Sequence, residues 1–163
     1  MDIQISKAVV IGSGVMGHGV CQLLAQHGIC VSLVDIDETA LDRARGWISD
    51  NLAYMIQLGQ LEDDRLEEVL SKITFTNDLV SSLEGAQYIL EAASENFEVK
   101  RKIWAVLSIH APSEAILASN TSSYDINELA EGISGPERII GTHWFHPPPI
   151  TPCVEVIPCR GAD

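Results

Sequence analysis

Lys7-Ala8-Val9-Val10-Ile11-Gly12-Ser13-Gly14-Val15-Met16-Gly17 begins the most informative stretch of the chain, and Cys30-Val31-Ser32-Leu33-Val34-Asp35 ends it. Lys7 to Ile11 is short, apolar and β-branched, which predicts a buried strand. Gly12 to Gly17 interrupts it. From Val15 to His27 the apolar residues Val15, Met16, Val20, Leu23 and Leu24 recur at helical spacing, and Gly28 is placed to end that helix. Cys30 to Val34 reads as a second strand with Asp35 at its end. Strand, glycine turn, helix, strand is a βαβ unit.

The turn matches G-x-G-x-x-G in the context that gives the pattern meaning. Gly12 permits the tight turn, Gly14 lets backbone approach a pyrophosphate, and Gly17 lets the helix pack close to the sheet. The helix then begins with free N–H groups and the positive end of its dipole. Gly12, Gly14, Met16 and Gly17 are therefore candidate cofactor-binding residues. Asp35 is placed to accept hydrogen bonds from ribose hydroxyls. Its charge repels a 2′-phosphate, which favours NAD over NADP. The plainer reading of Asp35 is a solvated turn acid before the next helix. Flavin binding shares the fingerprint, but nothing else in the chain signals a flavin.

Working outward, Asp37 can cap a long helix from Glu38 to Gln57, and a second helix fits Glu62 to Leu70. The two form an excursion beyond the minimal fold. Strands are predicted at Ile73 to Thr76, Gln87 to Glu91, Ala115 to Ser119, Arg138 to His143 and Val154 to Ile157, with a helix from Asn96 to Ile109. The alternation predicts an α/β, Rossmann-like, doubly wound and mostly parallel sheet with an inserted two-helix excursion, forming one domain over residues 1–163.

The chain has 46% hydrophobic and 20% charged residues, ordinary for a globular protein. No apolar run approaches a membrane span, and Met1 to Lys7 does not read as a secretory signal. The formal net charge is -13. That sign argues against nucleic-acid and anionic-membrane partners, and makes a polyanionic substrate dependent on a local basic patch. Cys21, Cys30, Cys153 and Cys159 form no C-x-x-C pair. They read as buried free thiols in a reducing, cytoplasmic setting, with no metal site.

Three polar segments follow predicted strands, where sheets of this kind bind ligands: Glu91 to Asn96 with Lys100, Ser119 to Ser123, and Thr142 to Pro147 with Glu155 beyond. Taking a hydride from an alcohol needs a base for the hydroxyl proton, and histidine titrates in the useful range. Glu155 is a charge inside an apolar strand, and such a carboxylate is seldom buried without a partner. Pairing it with His143 would fix the imidazole tautomer. The alternative is that Glu155 faces solvent on an edge strand, and spacing leaves both open. Ser122 can donate to a substrate oxygen, while Ser123 or Asp125 caps a helix from Ile126 to Leu129.

Taken together, these motifs resemble the 3-hydroxyacyl-CoA dehydrogenase family over essentially the whole chain. The matching segments are Gly12 to Gly17, Glu91-Ala92 with Glu95 and Lys100, Ser119-Asn120-Thr121-Ser122-Ser123, and Gly141-Thr142-His143 running on to Val154-Glu155-Val156. The resemblance implies an NAD-dependent oxidoreductase of fatty acid metabolism. It would act on the 3-hydroxy (3-oxo) carbon of a 3-hydroxyacyl-CoA or a related 3-hydroxy acid. It implies His143 as base, Glu155 as its carboxylate partner and Ser122 at the substrate oxygen. Asn120 would lie beside the nicotinamide, Glu95 and Lys100 near its ribose, and Asp35 at the adenosine ribose.

Two departures stand out. His146 occupies the place of an asparagine that helps hold cofactor and substrate, and it can still donate a hydrogen bond. The helix near Asn51 to Leu58 is poor in basic residues, where acyl-CoA-specific members contribute to coenzyme A binding. The resemblance also implies a C-terminal helical domain that closes the cleft and dimerises. The 163 residues do not contain it, so it is expected from further sequence or a partner chain. A non-catalytic NAD-binding module, serving as sensor or structural protein, is the alternative reading.

Overall fold

The computed structural model describes residues 4–151 and 153–161. The extreme ends of the 1–163 domain, and with them part of the Met1 to Lys7 reading, lie outside the described residues. Strand β1 (Lys7–Ile11) leads into helix α1 (Val15–Gln26), then β2 (Cys30–Val34), α2 (Glu38–Gln57), α3 (Arg65–Ser71) and β3 (Ile73–Thr76). A four-residue helix α4 (Leu79–Ser82), β4 (Tyr88–Glu91), α5 (Phe97–His110), β5 (Ile116–Ser119), α6 (Ile126–Leu129), β6 (Ile139–Trp144) and β7 (Val154–Pro158) follow, with a short 3-10 turn at Pro136–Arg138.

The seven strands form one sheet in the order β3-β2-β1-β4-β5-β6-β7. All neighbours are parallel except β6 and β7. A central parallel strand is covered on both faces, so it must be apolar at every position. From Ala8 on, β1 meets this demand: Ala8 and Val10 join the core under α1, α2 and α3, while Val9 and Ile11 join Trp104 and Leu107 of α5 on the other face. The predicted doubly wound architecture and its two-helix excursion are therefore present.

Several boundaries moved. α3 begins at Arg65 rather than Glu62 because Glu62-Asp63-Asp64 form the preceding turn, where acids compete for backbone N–H groups. α4 escaped the sequence reading because one turn capped by Asp78 carries too few residues to show a period. Asp37 and Asp125 cap their helices as expected and Asn96 caps α5, each side chain accepting a backbone N–H of its first turn. The cysteine reading is corrected in part. Cys21 and Cys159 are buried, but Cys30 and Cys153 are exposed, because Cys30 opens its strand at the sheet margin and Cys153 precedes the edge strand β7.

The glycine turn shows why the chain can double back so tightly. Gly12 has φ +101°, a left-handed conformation that side chains resist. A Cβ on Gly17 would lie 1.7 Å from the Gly12 carbonyl oxygen, so α1 approaches the turn as closely as backbone permits. Gly46, inside α2, has no such neighbour. Gly17→Ala should therefore destabilise the fold by about 3 kcal/mol or more. Gly46→Ala should stabilise it by about 0.5–1 kcal/mol, because it only removes chain entropy. Urea denaturation of both variants checks the pair.

Candidate active site

Strand order reverses between β1 and β4, and a cavity of about 910 Å³ opens beyond their carboxyl ends. Asp35, Ile36 and Asn77 line one end, Gly12, Gly14 and Met16 the middle, and Glu95, Asn120 and Ser122 the other. A Cβ on Gly14 would meet no protein atom within 4 Å, although Gly14 lines the cavity. The start of α1 carries no side-chain cap, so its first N–H groups are left for a ligand. A bare turn beside open space, with unpaired donors and a dipole behind it, fits a dinucleotide pyrophosphate.

Asp35 has a second task. Its Oδ2 accepts from Ser13 N at 2.7 Å and Ser13 Oγ at 2.8 Å, and its Oδ1 accepts from Asp37 N at 3.1 Å. The carboxylate therefore ties the glycine turn to the end of β2 and still has lone pairs toward the cavity. Ser13 is 1% exposed, a role hidden in sequence because it stands at a variable position of the motif.

The far end is built on a buried ion cluster. The Glu91 side chain is 0% exposed and that of Lys100 1%. Lys100 Nζ donates to Glu91 Oε1 at 2.9 Å and pairs with Glu95 Oε2 at 3.0 Å. Glu91 also accepts from Ala93 N at 2.9 Å and Ser119 Oγ at 2.7 Å. Glu95 Oε1 accepts from Thr121 Oγ1 and from the backbone N–H groups of Ser122 and Ser123. Burial pushes the Glu95 carboxyl up, but the Thr121 hydrogen bond and Lys100, by hydrogen bond and charge, outweigh it and leave the group below its ordinary range. Glu95 and Lys100 thus hold the loop that carries Ser122. Glu91, Ser119 and Thr121 are the members that the sequence reading gave no role.

Asn120 links this cluster to β6. Its N–H donates to Glu91 O at 2.8 Å, and its Oδ1 accepts from Trp144 N at 3.0 Å. The amide Nδ2 is left for a ligand. Next to Trp144, His143 stands directly across the antiparallel ladder from Glu155. Opposed residues share a face, so the side chains meet, with His143 Nδ1 2.8 Å from Glu155 Oε2. In the neutral ring Nδ1 then carries the proton and Nε2 is an acceptor.

Spacing alone left the exposure of Glu155 open. Its side chain is 59% exposed, because β7 is the sheet edge and every residue of it is exposed. The two readings left open by spacing both hold: the carboxylate is solvated and paired. His143, Glu155 and His146 are outside the cavity lining, and Gly17 packs beneath the turn. His146 is exposed on the loop after β6.

Fold, glycine turn and switch-point cavity together define the class: a dinucleotide-binding domain of the dehydrogenase type. The family model "3-hydroxyacyl-CoA dehydrogenase, NAD binding domain" matches residues 7–163, and the chain belongs to this family of NAD-binding domains. It is 38% identical over 157 residues to 3-hydroxyadipyl-CoA dehydrogenase of Escherichia coli K12, covering 96% of this chain and 33% of that one. It is 31% identical to the solved (S)-3-hydroxybutyryl-CoA dehydrogenase of Ralstonia eutropha, with TM-score 0.93, over 98% of this chain and 56% of that one. A structure of FHMPC 5-dehydrogenase, an NAD+-dependent dismutase, matches with TM-score 0.85 and 31% identity, over 98% of this chain and 51% of that one. The chain thus spans about a third to a half of the length of these relatives.

Two outcomes follow from the ion cluster. Lys100→Met leaves Glu91 buried without its cation and should cost about 3–5 kcal/mol in urea unfolding. Restoring neutrality with Glu91→Gln in the same chain should recover part of it. Glu95 is held below its ordinary value, so its contribution is present above the unfolded value of about 4.3 and is lost as pH falls below it. Acid titration of Glu95→Gln should show a shallower loss of stability in that range than the parent chain.

Proposed function

We propose that this domain serves an NAD-dependent dehydrogenase acting on the 3-hydroxy (3-oxo) carbon of a 3-hydroxyacyl-CoA or a related 3-hydroxy acid. The observation that carries the reading is the His143–Glu155 pair at 2.8 Å, beside a loop that also lines the dinucleotide cavity. When bound, NAD supplies a nicotinamide that accepts or donates the hydride. The other tasks fall to the chain. Gly12, Gly14 and Met16, with the start of α1 packed close by Gly17, hold the pyrophosphate. Asp35 accepts from the adenosine ribose hydroxyls. Asn120 donates through Nδ2 beside the nicotinamide, and Glu95 and Lys100 order the wall near its ribose. His146, exposed on the loop after β6, would donate a hydrogen bond to cofactor or substrate.

In the oxidation direction, His143 Nε2 takes the hydroxyl proton. The Glu155 carboxylate fixes the tautomer beforehand and stabilises the imidazolium afterwards. Ser122 donates to the substrate oxygen. Reduction runs through the same groups, with His143 returning the proton. The proposal includes a C-terminal helical domain, from further sequence or a partner chain, a homodimeric assembly and a cytoplasmic location. The free thiols at Cys21, Cys30, Cys153 and Cys159 support a reducing compartment.

A binding module without turnover is the second reading. It is favoured by one fact: the cavity is complete without His143 and Glu155 in its lining. The two separate on one variant. His143→Gln should reduce oxidation of 3-hydroxybutyryl-CoA or 3-hydroxybutyrate by roughly 10²–10⁴-fold, leaving NAD affinity unchanged. Full activity in that variant overturns the base assignment. Asp35→Ala should instead weaken NAD by about tenfold or more, since it removes charged hydrogen bonds.

A further inference from the structure

Asp35 stands at one end of the cofactor cavity, and three donors decide where its carboxylate points. Oδ2 takes two of them from a single residue, Ser13 N at 2.7 Å and Ser13 Oγ at 2.8 Å. An oxygen with two lone pairs is thereby filled. Oδ1 takes only Asp37 N, at 3.1 Å, and is the oxygen with capacity left for a ligand. The donors come from two elements that the βαβ unit brings together, the glycine turn and the cap of α2. Ser13 is 1% exposed and stands behind the cavity wall, while Asp35 lines it. The Ser13 hydroxyl therefore serves the carboxylate and leaves the ligand to it.

The hydroxyl adds something that the turn does not require. Residue 13 offers its backbone N–H whatever its side chain. One donor on Oδ2 leaves the carboxylate free to swing, because the terminal torsion of an aspartate is broad. A second donor on the same oxygen fixes that torsion, and both bonds are strengthened by the charge they meet.

The surrounding charge makes this orientation matter. Asp37 and Glu38 follow closely in the chain. Arg43 is drawn to Asp37, at 3.7 Å, and donates to Thr39 Oγ1 at 3.2 Å. Glu38 accepts from Asn77 at 3.1 Å, and Lys102 lines the cavity. A ribose 2′-hydroxyl gives a proton to Oδ1. A 2′-phosphate brings negative charge to the same oxygen, and is tolerated only where the carboxylate turns aside.

We infer that Ser13 is a positioning residue for cofactor selection. By holding the inner oxygen of Asp35, it keeps the outer one on the ribose hydroxyls and denies the carboxylate the rotation that would admit a 2′-phosphate. Asp35 supplies the charge and Ser13 makes it rigid. This needs dinucleotide binding alone, and is independent of the hydride chemistry under the proposed function.

Calorimetric titration of the full chain with NAD+ and with NADP+ tests it. In Ser13→Ala, NAD+ should weaken by about threefold to tenfold. NADP+ should keep its parent affinity or gain, so the ratio between the two narrows. Ser13→Gly should behave alike, and stands in if the alanine variant does not fold. In an Asp35→Ala background the Ser13 change should alter neither affinity, because its effect runs through that carboxylate. Equal weakening of both cofactors assigns Ser13 to the stability of the turn and overturns the inference. So does an unchanged ratio, or an effect that survives without Asp35. A parent chain that binds both dinucleotides alike, or neither, removes the selection itself and the inference with it.

Discussion

A lysine ammonium closed off from water between two carboxylates organises the reactive end of this domain. Lys100 comes from α5, Glu91 from the end of β4, and Glu95 from the loop between them. Through Ser119 and Thr121 the same carboxylates reach β5 and the loop beyond it. Such an ion pair adds little net stability compared with a well-packed apolar group, because desolvation offsets the attraction. What it adds is definition. Each oxygen of Glu91 and Glu95 has a directional partner, and the loop bearing Asn120 and Ser122 is bound to that frame by backbone N–H groups. A greasy plug of equal volume would fill the space and leave the loop unaimed.

The second constraint is register. His143 and Glu155 are far apart in sequence but opposite each other on β6 and β7. Side chains alternate across a strand, so a slip of one residue would send Glu155 to the other face. The chain between the strands pins the pairing, with Phe145 N donating to Cys153 O at 3.3 Å and Thr151 N to Pro147 O at 2.9 Å. Asn120 then grips Trp144 N, so the ion cluster and the cross-strand pair share a strand end. The two halves of the site are mechanically continuous.

Much of this was legible in sequence, for identifiable reasons. The glycine turn is readable because backbone clearance at Gly12 and Gly17 permits no other residue, and β1 because a doubly covered strand reads as a continuous apolar run. The His143–Glu155 pair is only half readable. The residue types suggest it, but solvent exposure of β7 depends on its being the sheet edge, which no local pattern encodes. Glu91 looked like the end of an apolar run. Its partner Lys100 lies on a different element, and only packing brings them together. Cys30 and Cys153 sit among apolar neighbours yet face solvent, because position at a strand end overrides composition.

A chain with net charge -13 must still hold a dianionic pyrophosphate. Side-chain cations contribute little to this, since of the lysines and arginines only Lys100 and Lys102 line the cavity, and Lys100 is neutralised. Most of the attraction comes from backbone: the uncapped N–H groups of α1 and the dipole behind them, brought close by the absence of side chains at Gly12 and Gly14. This field is short in range and fixed in direction, so it coexists with an acidic surface that would cancel a diffuse basic patch. Pyrophosphate binding in this domain therefore rests on local geometry more than on net charge.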